Sequence, residues 1–148
     1  MGRHVVRSAD GDAAPAVARV LEGALLAVPV DIRRACDEGR VLLIGEPVTG
    51  AVLVVPSALG PGRRYGSGGE HSPAHLLAVA VIPSRRGEGQ GQALVGAAAK
   101  RWSPLSVTFD RRVKPFYESL GFAIARIGST RFRGVRAQPG HSDDVFDQ

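Results

Sequence analysis

One segment limits what this chain can fold into: Val81-Ile82-Pro83-Ser84-Arg85-Arg86-Gly87-Glu88-Gly89-Gln90-Gly91-Gln92-Ala93-Leu94. The apolar run 75–82 leads into it and reads as a buried strand. That strand stops at Pro83. Two arginines follow, then three glycines at every second position. An Ala-rich helix begins at once over 90–102, with Leu94, Val95 and Ala98 on one face. Glycine brings backbone N–H groups close to a ligand. A helix start adds unpaired N–H donors and a positive dipole end. Strand, glycine turn and helix in that order make an anion cradle, with Arg85 and Arg86 at its rim.

Two familiar phosphate sites do not fit. A P-loop needs Gly-Lys-Ser/Thr at the helix start, and the first lysine of this chain is Lys100. A dinucleotide site needs G-x-G-x-x-G, and here Gln92 stands where the third glycine belongs. Asp110 falls about 20 residues on, where a ribose-binding acid is expected. Only 38 residues follow it, too few for the rest of a doubly wound sheet.

Apolar periodicity and turn residues predict the other elements. Residues 3–7 read as a strand. A helix of about four turns follows Pro15, and a shorter one covers 31–38. Strands at 40–46 and 50–56 are joined by Pro47-Val48-Thr49-Gly50. A loop at 57–74 carries five glycines and two prolines; it is long for a compact domain and reads as a mobile lid. After the glycine turn and its helix come a strand at 105–109, a short helix at 114–119 and strands at 122–127 and 130–136. The order β-α-α-β-β-β-α-β-α-β-β predicts an α/β fold with a mixed sheet and helices on its faces. With 148 residues, one domain is expected, with a core over 3–136 and a flexible acidic tail at 137–148.

Charge is uneven. Residues 1–74 carry eight basic and eight acidic side chains, whereas 85–136 carry eleven against three. Such a cationic half suits a polyanion. The bland reading is compositional, since 17 of the 19 basic residues are arginine. Arg131-Phe132-Arg133 adds a basic-aromatic-basic pattern that could stack on a base, so a nucleic-acid-binding module is a second reading. The single cysteine, Cys36, allows no internal disulfide and argues against a cysteine-based metal site. No apolar run approaches the roughly 20 residues that span a bilayer. A cytoplasmic protein without metal or membrane partner is the expectation.

Arg86-x-x-Gly89-x-Gly91 after Val81-x-Pro83 resembles the acetyl-CoA signature of the GCN5-related N-acetyltransferases (GNAT). About 26 residues later, Pro115-Phe116-Tyr117-Glu118-Ser119-Leu120-Gly121-Phe122 is similar to the second element of that family. The element order matches as well, so the resemblance covers about residues 3–136. It implies the GNAT-like acyl-CoA N-acyltransferase fold and acetyl-CoA as cosubstrate. By the resemblance, the backbone of Val79, Ala80 and Val81 would bind the pantetheine arm. The turn residues Arg86, Gly87, Gly89, Gln90, Gly91 and Gln92 would bind the pyrophosphate, with Arg85 and Arg86 screening its charge. Tyr117 would be the general acid to the leaving thiolate.

Asp110 departs from the family, which often carries Asn there; a carboxylate would repel phosphate, and it reads as a helix cap. His75 is the best single candidate for the base, with Glu70 and His71 beside it in sequence. Asp31, Asp37, Glu38 and Glu70 are the clustered acids available to a cationic acceptor. The resemblance implies an acetyltransferase acting on a primary amine in a ternary complex. The acceptor is open, from a small amine to an aminoacyl-tRNA, and the family commonly forms homodimers. A degenerate acetyl-CoA sensor without turnover is a further alternative.

Overall fold

The computed structural model describes residues 5–22, 31–57 and 73–137. Most of the expected 57–74 lid, with Glu70 and His71, lies outside them. So do the 138–148 tail and the end of the predicted first helix. The described elements are β1 (Val6–Ser8), α1 (Ala14–Leu21), α2 (Ile32–Asp37), β2 (Val41–Ile44), β3 (Gly50–Pro56), β4 (Ala74–Val81), α3 (Gln90–Arg101), β5 (Leu105–Asp110), α4 (Lys114–Ser119), β6 (Ala123–Arg126) and β7 (Arg131–Arg136). Their order is the predicted one. Seven strands form one mixed sheet in the order β1-β2-β3-β4-β5-β7-β6. Short 3-10 turns at Gly11–Ala13, Pro83–Arg85 and Arg111–Val113 lead into α1, the glycine turn and α4.

By backbone contact the chain divides into two compact units. The first takes in the residues up to Val55 together with Leu76–Ala98. Here β2 pairs antiparallel with β1 and β3, in register Val41↔Leu53 and Leu43↔Ala51. Val41, Leu43, Ala51 and Leu53 alternate toward one face and are buried with Val17 and Leu21 of α1 and Ala35 and Cys36 of α2. Asp10 caps the turn before α1, accepting from the Asp12 and Ala13 N–H groups, and Asp31 caps α2 through Arg34 N. Leu42, Ile44, Val52 and Val54 point the other way and are equally buried. On that face Leu94 of α3 lies so close that a Cβ on Gly50 would sit 3.0 Å from its Cδ1.

The second unit takes in Pro56–His75 and the chain from Ala99 on. Its strand β7 runs antiparallel to both β5 and β6. One face carries an aromatic cluster. Phe109 stacks on Phe132 at 6.1 Å, and Tyr117 of α4 meets Phe122 edge-on at 5.3 Å. The opposite face presents Thr108, Arg131 and Arg133, with Ser106 buried among them.

Candidate active site

The predicted cradle follows a strand whose described pairing with β5 is confined to its start. β4 pairs in parallel with β5 at Ala74↔Leu105 and His75↔Ser106 and at no later position among the described residues. Register against β3 shows a second irregularity. Ser57 N–H donates to Pro73 O at 3.3 Å, and Ile82 N–H donates to Thr49 O at 2.8 Å. Nine steps from 73 to 82 therefore face eight steps from 49 to 57. One extra residue sits in β4, which is a β-bulge. Burial tells the same story: Ala74, Leu76 and Ala78 alternate inward, and from Val79 to Val81 the alternation stops. Backbone groups of this stretch are thus left with hydrogen-bonding capacity that a regular ladder would consume.

Beyond β4 the chain turns through exposed residues 83–88. Gly87 and Gly89 have φ of 85° and 87°, a region that costs a side-chain-bearing residue roughly 1–2 kcal/mol. Their N–H groups make no hydrogen bond among the described residues. The first bond of α3 runs from Ala93 N–H to Gly89 O at 3.0 Å. Gln90, Gly91 and Gln92 therefore offer N–H groups with no acceptor inside the helix. A Cβ on Gly87 would meet nothing within 4 Å, so that side of the turn is open to a ligand.

The arginines behave differently from each other. Arg86 donates from Nε to Val81 O at 3.0 Å, closing the end of β4, and its N–H is used by Pro83 O at 3.2 Å. The backbone of Arg86 is thus spent within the turn, and the unspent donors begin at Gly87. Arg85 stays exposed, 3.7 Å from Glu88. The Gln90 side chain turns inward, where its Oε1 accepts from Thr49 Oγ1 at 2.8 Å. Thr49 was invisible as a site residue in the sequence, where it is one turn residue among four.

Tyr117 is buried, with Phe109 stacked at 4.7 Å and Phe116 edge-on at 5.0 Å. Its hydroxyl has no hydrogen-bond partner among the described residues. Burial alone pushes its pKa up to about 12. An orphaned buried hydroxyl is costly, and it is protonated at neutral pH, so it is a donor held ready for an acceptor.

No family model matches this chain, and no curated protein matches it. Solved structures do. A GNAT-family acetyltransferase from Bacillus cereus superposes with a TM-score of 0.68 at 13% identity, over 92% of this chain and 98% of that one. Arabidopsis thaliana NAA60 in complex with acetyl-CoA gives 0.67 at 14%, over 92% and 100%. A GNAT-family acetyltransferase from Brucella melitensis in complex with acetyl-CoA gives 0.62 at 18%, over 93% and 89%. The fold is that of the GCN5-related N-acetyltransferases.

The sequence-predicted residues that are described lie as follows. Val79, Ala80 and Val81 lie on the part of β4 beyond its β5 pairing, and Gly87 to Gln92 form the turn and the first turn of α3. Asp110 is a cap: its carboxylate accepts from Arg112 N–H at 2.9 Å, a bond that holds its pKa down. His75 lies at the other end of β4, about 13 Å from Val79 at the strand's rise per residue. Its Nδ1 is 2.8 Å from Ser106 Oγ, and burial first, then Arg133, lowers its pKa. Phe132 is half-buried. It lies against Phe109, with Lys114 Nζ 5.3 Å from its ring centre. Among the described residues no cluster of His, Cys, Asp and Glu could hold a metal, and no helix is long and apolar enough to cross a membrane.

Proposed function

We propose that this chain is an acetyl-CoA-dependent N-acetyltransferase that delivers an acetyl group to a primary amine by direct attack. The carrying observation is β4, which leaves β5 after His75↔Ser106 and runs, bulged, into a turn of unspent N–H donors. That arrangement fits a ligand with an extended amide-bearing arm and a diphosphate. The Val79–Val81 stretch, which continues β4 beyond its described pairing with β5, suits the amides of a pantetheine arm. The N–H groups of Gly87, Gly89, Gln90, Gly91 and Gln92 suit phosphate oxygens, aided by the helix dipole. Glu88 lies within the turn and opposes an anion there, so backbone donors rather than formal charge carry the recognition. The two acetyl-CoA complexes of the same fold support the choice of cosubstrate.

Tyr117 is assigned as general acid. As the amine nitrogen attacks the thioester carbon, the C–S bond breaks and the sulfur takes the phenolic proton. A thiolate with a pKa of about 8.5 is basic enough to need that proton at neutral pH. The acceptor attacks as the neutral amine, having first lost a proton to solvent, and the second proton that its nitrogen sheds as the amide forms returns through solvent to the phenolate. His75 is left out of the reacting set, because its ring is tied to Ser106 at the far end of β4.

Thermal denaturation with acetyl-CoA, CoA, NADH, ATP and a short RNA tests the reading. At about 100 times Kd a ligand adds about 2.7 kcal/mol, which is several degrees for a domain of this size. A shift with acetyl-CoA and CoA alone is expected. A folded protein that shifts with neither has another function.

A further inference from the structure

The glycine turn begins and ends on one residue. Ile82 N–H, at the close of β4, donates to Thr49 O at 2.8 Å. Thr49 Oγ1, on the same residue, donates to Gln90 Oε1 at 2.8 Å, where α3 begins. Everything between these anchors, residues 83–89, is the exposed or half-exposed turn. Both Thr49 and Gln90 are buried, so their bond is sheltered from competing water. Thr49 is itself fixed: its N–H donates to Ile44 O at 2.9 Å, closing the β2–β3 turn. The next residue, Gly50, allows no slack. A Cβ there would lie 3.0 Å from Ile44 Cγ2 and Leu94 Cδ1 and 3.2 Å from Ala80 O.

We infer that Thr49 is a positioning residue, a clamp that fixes the span between the end of β4 and the start of α3 and thereby aims the N–H donors of the turn. This rests on the acetyl-CoA reading for its ligand but not for its geometry. Thr49 touches no substrate in this account. It acts through Gln90, whose inward side chain leaves only its N–H to the cradle. The first half of the turn is held by the bonds of Arg85 and Arg86 to Ile82 O, Pro83 O and Val81 O, while Gly87 and Gly89 leave its second half free to change shape. The remaining constraint comes from the ends of the span, and Thr49 supplies a bond to each.

The test compares Thr49→Val with Thr49→Ser in the full chain. Valine keeps the shape and removes the hydroxyl; serine restores it. Two quantities are read: hydrogen exchange of the peptide covering 82–93 in the free protein, and the CoA Kd with kcat at saturating acetyl-CoA. Thr49→Val should speed exchange at Arg85, Arg86 and Ala93 about tenfold, raise the CoA Kd about tenfold, and leave kcat within about twofold, while Thr49→Ser stays near wild type. If the folded valine variant matches wild type in both exchange and Kd, the clamp is overturned. If exchange rises but wild type binds no CoA, the clamp stands and the acetyltransferase reading falls. A valine variant that loses kcat but not Kd also overturns the clamp. If Thr49→Val does not fold, Thr49→Ala, which also removes the hydroxyl, takes its place with the same expected results.

Discussion

The ring of Tyr117 lies on that of Phe109, with centroids 4.7 Å apart and planes 21° from parallel. Two edge-on contacts, from Phe116 and Phe122, complete the enclosure. The phenyl ring is therefore placed by packing, and the hydroxyl adds no bond to the fold among the described residues. Tyr117→Phe should keep every ring contact and lose only the proton donor. Expected outcomes are a fall in kcat of about 100-fold or more, an unchanged CoA Kd, and a Tm no lower than wild type. Steady-state kinetics beside calorimetry would show it, and an unchanged kcat would remove Tyr117 from the chemistry.

The same burial makes a pH prediction. Tyr117 has a folded pKa of about 12, above the unfolded value near 10. A group whose pKa is raised by folding contributes stability that is full below the unfolded pKa and is lost as pH rises through the folded one. Between pH 10 and 12 the native protein should lose about 2–3 kcal/mol from this residue. Urea titrations at pH 9, 10 and 11 should show the decline, and Tyr117→Phe should flatten it.

Much of the architecture was open to reading because it depends on local pattern. The β-α-α-β-β-β-α-β-α-β-β order and the 114–119 helix follow from periodicity and turn residues. So does the capping role of Asp110. Three features that build the site were hidden because they are relations between distant residues. The bulge in β4 appears only when Pro73 and Ile82 are counted against Ser57 and Thr49. The turning of Arg86 back onto Val81 O cannot be told from an arginine that faces a phosphate. The Thr49–Gln90 bond joins positions 41 residues apart. The placement of Phe132 is a relation of the same kind: the middle of a basic-aromatic-basic triplet in a strand lies on the face opposite the arginines, here against Phe109.

Two glycines near the cradle should respond to alanine in opposite senses. At Gly87 a Cβ has open space, so the cost is purely backbone, from a φ of 85°. Gly87→Ala should cost about 1–2 kcal/mol, or relax the turn and misdirect its donors. Either way the CoA Kd should rise about tenfold or more. Gly96 lies within α3, and a Cβ there also meets nothing within 4 Å. Gly96→Ala should stabilise the protein by up to about 1 kcal/mol and leave the CoA Kd unchanged. Chemical denaturation and calorimetric titration of the two variants side by side check both signs.

His75 gives the acid-side counterpart of Tyr117. Burial lowers its pKa below 6.5, and the nearby Arg133 guanidinium lowers it further. For a group whose folded pKa is depressed, stability is present above the unfolded value and is lost as pH falls through it toward the folded one. The imidazole, held at 2.8 Å from Ser106 Oγ, is thus neutral in the native protein at pH 7 and opposes the proton that the unfolded chain accepts. The exposed carboxylates with lowered pKa values, Glu38 and Asp110, titrate below 4.5, so they leave the interval from pH 7 to 5 clear. Native stability should decline across that interval, and His75→Gln should make the decline shallower. The same variant separates structure from chemistry. With the ring about 13 Å along β4 from Val79, turnover should stay within about threefold of wild type. A loss of kcat by a factor of 100, with an apparent pKa shifted in the pH–rate profile, would instead make His75 the base and place the acceptor at the β4 end that pairs with Ser106.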